Sequence, residues 1–229
     1  MSDLNQELRA LLLENGAAMV GFADLSGVVN DDMTFGISVV INISKDVIRS
    51  IHDDPNMTYY DEYHRLNDKL NFLVNLGADY LKANGYKAFA QTTDTVKQFD
   101  MYRTTLPHKT VATIAGLGWI GKSALFVTRE FGPAVRISSL VTNAKLTGGN
   151  PITSSECGDC MACTEACPGH AVSGKLWHKN MDRDEFFDSI ACRQKARELS
   201  AEKIHKEITL CGKCFEVCPY TKKYLDSVE

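Results

Sequence analysis

The sequence predicts an α+β protein in two parts: a mixed strand-and-helix region over residues 1–147, then a small cysteine-rich region over 148–229. Three observations carry this. Strand-like apolar runs and helical patterns mix through about residue 146. All eight cysteines of the chain lie between Cys157 and Cys218. Between the two regions, "LTGGNP" supplies Gly148, Gly149 and Pro151, the composition of a linker.

The elements follow in order. Leu4, Leu8, Leu11 and Leu12 fall at helical spacing, and Asn15-Gly16 should stop that helix. "AAMVGFA" and "FGISVVINI" read as buried strands, the second rich in β-branched residues that suit a pleated surface. Ser44 is placed to cap a short helix reaching about Ile51. "TYYDEYHRLNDKLNFLVNLGADYLKANG" carries the longest helical pattern and ends at Asn84-Gly85, a C-terminal signal. "YKAFAQT" and "PAVRISSLVT" are two further strands, and a short helix is expected from roughly Arg183 to Leu199.

Charge narrows the function classes. The net charge is −4 and there is no long Lys/Arg run, so a phosphate backbone is not an obvious partner. The N-terminal stretch lacks a basic segment before its short apolar run. No stretch approaches the length a bilayer needs, so neither export nor a membrane is expected, and the cytoplasm is. In a reducing compartment, clustered thiols point to metal in preference to disulfides.

The cysteines are the strongest signal. In "CGDCMACTEACP", Cys157, Cys160, Cys163 and Cys167 have the spacing C-x2-C-x2-C-x3-C-P of bacterial ferredoxins. In that run three thiolates hold one cubane and the fourth ligates a second. The partner set is Cys211, Cys214 and Cys218-Pro219 in "CGKCFEVCP", with the isolated Cys192. One [4Fe–4S] cluster is thus expected on Cys157, Cys160, Cys163 and Cys218, and another on Cys167, Cys192, Cys211 and Cys214. Zinc on four thiolates more commonly uses paired C-x2-C units without the x3-C-P endings. Two neighbouring cubanes form a short wire for electrons.

"AGLGWIGKSALF" matches two phosphate-binding patterns: G-x-G-x-x-G on Gly116, Gly118 and Gly121, and G-x-x-x-x-G-K-S ending at Lys122-Ser123. Each pattern lacks its context. Gly132-Pro133 interrupts the chain soon after Ser123, and no acid stands where either motif wants one. A tight turn with Trp119 and Ile120 packed in the core is the simpler reading.

"VGFADL", "AGLGWIGK", "EFGPAVRISSLVTN", "CGDCMACTEACPGHAV", an isolated "CRQ" and "CGKCFEVCP" occur here in one order. In that order they resemble the epoxyqueuosine reductases, over roughly residues 16–220. The resemblance implies a nitroreductase-like α/β domain binding cobalamin, and a two-cluster ferredoxin-like domain that feeds it electrons from a low-potential donor such as ferredoxin or flavodoxin. It implies reduction of a small molecule or a modified nucleoside; in the family the substrate is an epoxide on a tRNA wobble nucleoside. Reductive dehalogenases share the architecture and the cofactor. Gly116, Gly118, Trp119, Gly121 and Lys122 are then the expected cofactor contacts, with flavin as an alternative cofactor. A ferredoxin-like electron-transfer protein with no catalysis of its own is the rival function.

Two departures from the family stand out. The family continues past the last cluster with a helical-repeat domain that helps bind tRNA, whereas this sequence stops soon after Cys218, which argues against a tRNA partner. The family also places a proton-donating Asp, in a D-T-x-P context, ahead of the glycine loop; at that spacing stands Tyr102, beside Arg103. Asp94, in "TDT", Tyr102 and His108 are the candidate proton donors, in that order.

Overall fold

The computed structural model describes residues 3–52 and 54–227. They form two compact units. One comprises residues 3–42, 66–118 and 136–153; the other comprises 43–52 with 54–65, 119–135 and 154–227. Residues 43–52, 54–65 and 119–135 thus belong with the cysteines although they precede 147 in sequence, and 148–153 belong with the strands.

The first unit is built on a four-stranded sheet of order β1-β2-β6-β3, with β1 at Met19–Asp24, β2 at Phe35–Asn42, β3 at Ala88–Gln91 and β6 at Val135–Thr142. Strands β1 and β2 run antiparallel with Gly21 opposite Ser38, and β3 and β6 antiparallel with Ala90 opposite Leu140. The sequence pattern explains the helices against this sheet. Helix α1 (Leu4–Glu14) buries Leu8 and Leu12, one turn apart. Helix α3 (Met57–Ala83) buries Leu66, Leu70, Leu73, Val74 and Leu81, the 3.6-residue stripe read in the sequence. Tyr80 on α3 donates a hydrogen bond to Glu7 on α1 at 2.6 Å. Helix α2 (Lys45–Ser50), which belongs to the other unit, starts at Ser44, whose hydroxyl accepts from the Val47 N–H.

The opposite face of the sheet is made of small residues. Gly21, Ala23, Gly36 and Ser38 share it by register. A Cβ on Gly36 would lie 2.8 Å from Val111 Cγ1, and one on Gly21 2.7 Å from Leu117 Cγ. Helix α4 (His108–Ile114) can therefore approach closely, and Val111 and Ala115 join Ala23, Leu25, Leu106 and Val141 in one apolar cluster.

Residues 147–152 have a linker's composition and are instead a packed strap. Asn5 and Thr147 exchange two hydrogen bonds at 2.9 and 3.0 Å. The Gly149 N–H donates to the Phe22 carbonyl at 2.8 Å, and the Ile152 N–H to that of Thr113 at 2.9 Å. The glycines serve close approach here and not freedom.

In the second unit, Trp119–Ile120 (β4) and Phe126–Val127 (β5) form a short hairpin. Helices α5 (Ala162–Glu165), α6 (Ser189–Ile204), α7 (Lys213–Glu216) and α8 (Pro219–Asp226) follow. The helix expected at about Arg183–Leu199 is displaced toward the C-terminus. A capping box on Asp182 closes a single 3-10 turn, Arg183–Glu185, and Asp188 caps α6 by accepting from the Ile190 and Ala191 N–H groups. Among the described residues, no helix is long and apolar enough to cross a membrane.

Gly149→Ala tests the strap. Its Cβ would fall 2.2 Å from the Ala115 carbonyl oxygen, a backbone atom that cannot move alone. Chemical denaturation should show a loss of about 1–3 kcal/mol. A neutral result would mean that the strap is not held in this way.

Candidate functional site

The cysteines are positioned by short turns. The Cys160 N–H donates to the Cys157 carbonyl at 3.2 Å, closing the first C-x2-C turn. Cys163 lies on α5, Cys192 on α6 and Cys214 on α7, while Cys218 is the N-cap of α8 with Pro219 at its first position. The Pro after each x3-C thus has a local cause at Cys218: it begins a helix. The Ala171 N–H donates to Cys167 Sγ at 3.3 Å, and the N–H groups of Tyr220 and Thr221 bond the Cys218 sulfur. All eight cysteines are free thiols.

Electrostatics reveal which thiols are neighbours. Burial foremost raises the Cys163 thiol, and after it Cys157 and Cys160. Burial lifts Cys218 to about 11 against the N–H bonds of Tyr220 and Thr221, with Cys157 and Cys163 adding to the rise. Cys192 is likewise pushed to about 11 by burial, then by Cys167, Cys211 and Asp188. Cys214 is driven up by burial and by Cys167, Cys211, Cys192 and Cys163. Two neighbourhoods emerge, and Cys163 touches on both. A metal that takes these sulfurs must displace their protons.

Cys157, Cys160, Cys163 and Cys218 line a cavity of about 150 Å³, together with Cys214, Gly121, Lys122 and Tyr220. Among the described residues, no group of three His, Cys, Asp or Glu is arranged to hold a single metal ion. Sulfurs gathered around one space are the donor set that an iron–sulfur cluster takes.

The glycine loop divides between the units. Gly116 and Gly118 lie in the first, Trp119, Gly121 and Lys122 in the second. A Cβ on Gly116 would sit 2.5 Å from the Asn150 carbonyl oxygen, and Gly118 is buried. Trp119 is fully buried and packs edge-on against Tyr220, with ring centres 5.0 Å apart. Gly121 to Leu125 turn the β4–β5 hairpin, closed by Gly121 N–H donating to the Leu125 carbonyl at 2.9 Å. No helix begins at Gly121-Lys122-Ser123, so the backbone lacks the amide cradle that both phosphate motifs need. Lys122 is buried, which solvated-surface reasoning from sequence does not anticipate, and its Nζ donates to the Cys160 carbonyl at 2.9 Å.

The three proton-donor candidates have different settings. Asp94 lies exposed in a turn after β3. Tyr102 is also exposed, with a left-handed backbone (φ 60°) beside Met101 (φ 53°), an unusual pair for residues with side chains. His108 opens α4 and faces the sheet, its Nδ1 2.8 Å from Ser139 Oγ. Ser139 Oγ accepts from Gln91 Nε2 at 2.7 Å, which leaves the serine proton for Nδ1. Burial, and after it the Arg136 cation, holds the imidazole down at about 4. Near neutral pH His108 is therefore a neutral ring with Nε2–H as its donor, suited to orienting a ligand more than to delivering a proton. Sequence reasoning missed Gln91, Ser139 and Arg136, which carry no motif and meet only through strand pairing.

Residues 156–221 match the family model of a 4Fe-4S double cluster binding domain. An epoxyqueuosine reductase of Synechocystis sp. is 27% identical over 187 residues, covering 73% of this chain and 61% of its own. One from Lactococcus garvieae is 36% identical over 112 residues, covering 49% of this chain and 31% of its own. The chain is similar in sequence to epoxyqueuosine reductases. It spans 61% or less of the length of these two curated epoxyqueuosine reductases. The fold is shared more widely. A catabolic reductive dehalogenase in complex with 3-bromo-4-hydroxybenzoic acid superposes with TM-score 0.74 at 17% identity, over 96% of this chain and 32% of that one. An epoxyqueuosine reductase solved with a modified tRNA stem loop superposes with TM-score 0.61 at 20% identity, over 96% of this chain and 65% of that one.

His108 makes stability pH-dependent in a defined window. The unfolded chain protonates its histidine below about 6.5, and the native protein only near 4. Stability from this group is full above 6.5, falls as pH drops toward 4, and is level below. Its full size is about 3 kcal/mol. Urea unfolding from pH 7 to 4 should show a shallower fall in His108→Gln than in wild type. Parallel curves would mean that the ring is not held neutral.

Proposed function

We propose that this protein is an iron–sulfur oxidoreductase. Two [4Fe–4S] clusters, one on Cys157, Cys160, Cys163 and Cys218 and one on Cys167, Cys192, Cys211 and Cys214, pass electrons from a low-potential donor to a cobalamin for reduction of a small molecule or modified nucleoside. The observation that carries the reading is the sorting of eight free thiols into two neighbourhoods of four, with Cys163 bearing on Cys214 in the other. Cys160 is exposed, which gives the first cluster a solvent-facing edge for the donor.

Cobalamin rests on the sequence similarity to the epoxyqueuosine reductases and the fold shared with the dehalogenases. Gly116 and Trp119 of the glycine loop are taken up by packing, while Gly121 and Lys122 line the sulfur cavity, so the loop is not the cradle proposed for it. His108, with Ser139 and Gln91 behind it, is the polar group of the first unit proposed to meet the cofactor or substrate. A corrinoid, when bound, supplies a strongly reducing metal centre for an electrophilic carbon. The proton for that carbon is assigned to Asp94 or Tyr102, since His108 is a neutral imidazole at neutral pH and its remaining N–H is a poor acid.

Anaerobic reconstitution should give about eight iron and eight sulfide per chain. In Cys192→Ala, iron should fall to about four, with one cluster's spectrum retained. Stoichiometric zinc, or half the iron in wild type, would refute the ligand assignment. Titration of the loaded protein with cob(II)alamin should perturb its absorbance and EPR spectra. If no corrinoid binds, the electron-transfer reading replaces the enzyme; a flavin band in purified protein favours flavin. Where turnover is found, Asp94→Asn and Tyr102→Phe separate the two donors. The true donor loses most of its rate while cobalamin binding stays intact.

A further inference from the structure

Lys122 lies in the hairpin turn with only 4% of its surface exposed. An ammonium so buried costs several kcal/mol unless an anion offsets it. Its partners are the Cys160 carbonyl at 2.9 Å and Met161 Sδ at 3.5 Å, both uncharged. The carboxylate lining the same cavity, Glu156, is engaged by Arg129. No ion pair joins Lys122 to an Asp or Glu among the described residues. The sulfurs that line it are those of Cys157, Cys160, Cys163, Cys214 and Cys218, and the Lys122 charge bears on Cys163.

A cluster on four thiolates is anionic in both redox states and gains a further negative charge on reduction. A fixed cation beside it stabilises the reduced state more than the oxidised one, in a site where charges are weakly screened. The other thiol group has a different setting. Asp188 bears on Cys192, and Asp54 on Cys211, where Lys213 partly opposes it.

We propose that Lys122 sets the order of the two reduction potentials. Its ammonium raises the potential of the cluster on Cys157, Cys160, Cys163 and Cys218 above that of its neighbour, so that the first electron comes to rest there. This role rests on the two-cluster reading above. It accounts for a lysine that the sequence places in a phosphate-type motif and the fold buries among cysteines. Lys122 acts through the cluster and touches no substrate.

The test is an EPR-monitored redox titration of the reconstituted full chain as wild type, Lys122→Met, Lys122→Gln and Lys122→Arg. Iron and sulfide on wild type come first; their absence overturns the cluster reading itself, before any variant is compared. With both clusters present, Lys122→Met should lower the reduction equilibrium constant of one cluster about tenfold, or about 59 mV for one electron, and leave the other unmoved. Lys122→Arg keeps the charge and should stay near wild type. The Cys192→Ala background keeps only the Cys157-containing cluster and should show the same drop. If Lys122→Met loses iron, Lys122→Gln, which retains an amide donor for the Cys160 carbonyl, is read in its place with the same expectation. Unchanged potentials in the neutral variant that holds its clusters overturn the proposal. So does a shift in Lys122→Arg as large as in that variant.

Discussion

Crowding eight ionisable sulfurs, most of them half-buried or more, into one small unit is the constraint on which the second half of the structure depends. Burial alone drives several of these thiols above their ordinary range, and each thiolate formed would raise its neighbours further. Staying protonated avoids both costs; binding metal as thiolates offsets them, because the metal takes the charge that solvent cannot reach. The architecture around the sulfurs follows from this need. Helices α5 and α7 are single turns because their task is to present a cysteine and stop. The N–H groups of Ala171, Tyr220 and Thr221 aim at sulfur where a longer helix would have spent them on carbonyls.

The two units handle buried polar groups in opposite ways. In the strand unit, His108 is kept neutral, with Ser139 and Gln91 passing one chain of hydrogen bonds across the sheet. An isolated imidazolium beside Arg136 would be costly there, so the proton is left off. In the cysteine unit, Lys122 is buried beside groups that become anionic when metal is bound. Neutralising the group and supplying a counter-charge are the two available solutions to the same desolvation problem.

Close approach, more than side-chain bulk, shapes the strand unit. The small-residue face of β1 and β2 admits α4, and the Gly148-Gly149 strap lies against β1 and the end of α4. Together they place His108 over β6. A bulkier residue on that face would move the helix and with it the imidazole.

The sequence by itself determined most of the elements and pointed to iron–sulfur binding. Period-3.6 leucines in α1 and α3, β-branched runs in β2 and β6, and the caps at Ser44 and Gly16 are local signals that neighbouring residues can read. The cysteine spacing is legible for the same reason, since a C-x2-C turn is short and self-contained. The tertiary structure decided everything that depends on distant chain segments meeting. It divided the glycine loop between the units, made GKS a hairpin turn instead of a helix start, and turned a linker composition into a strap. It brought Gln91, His108 and Ser139 together through strand register, which no spacing along the chain encodes. It also buried Lys122, because burial is set by what packs over a residue, and the cysteines that do so begin some 35 residues later.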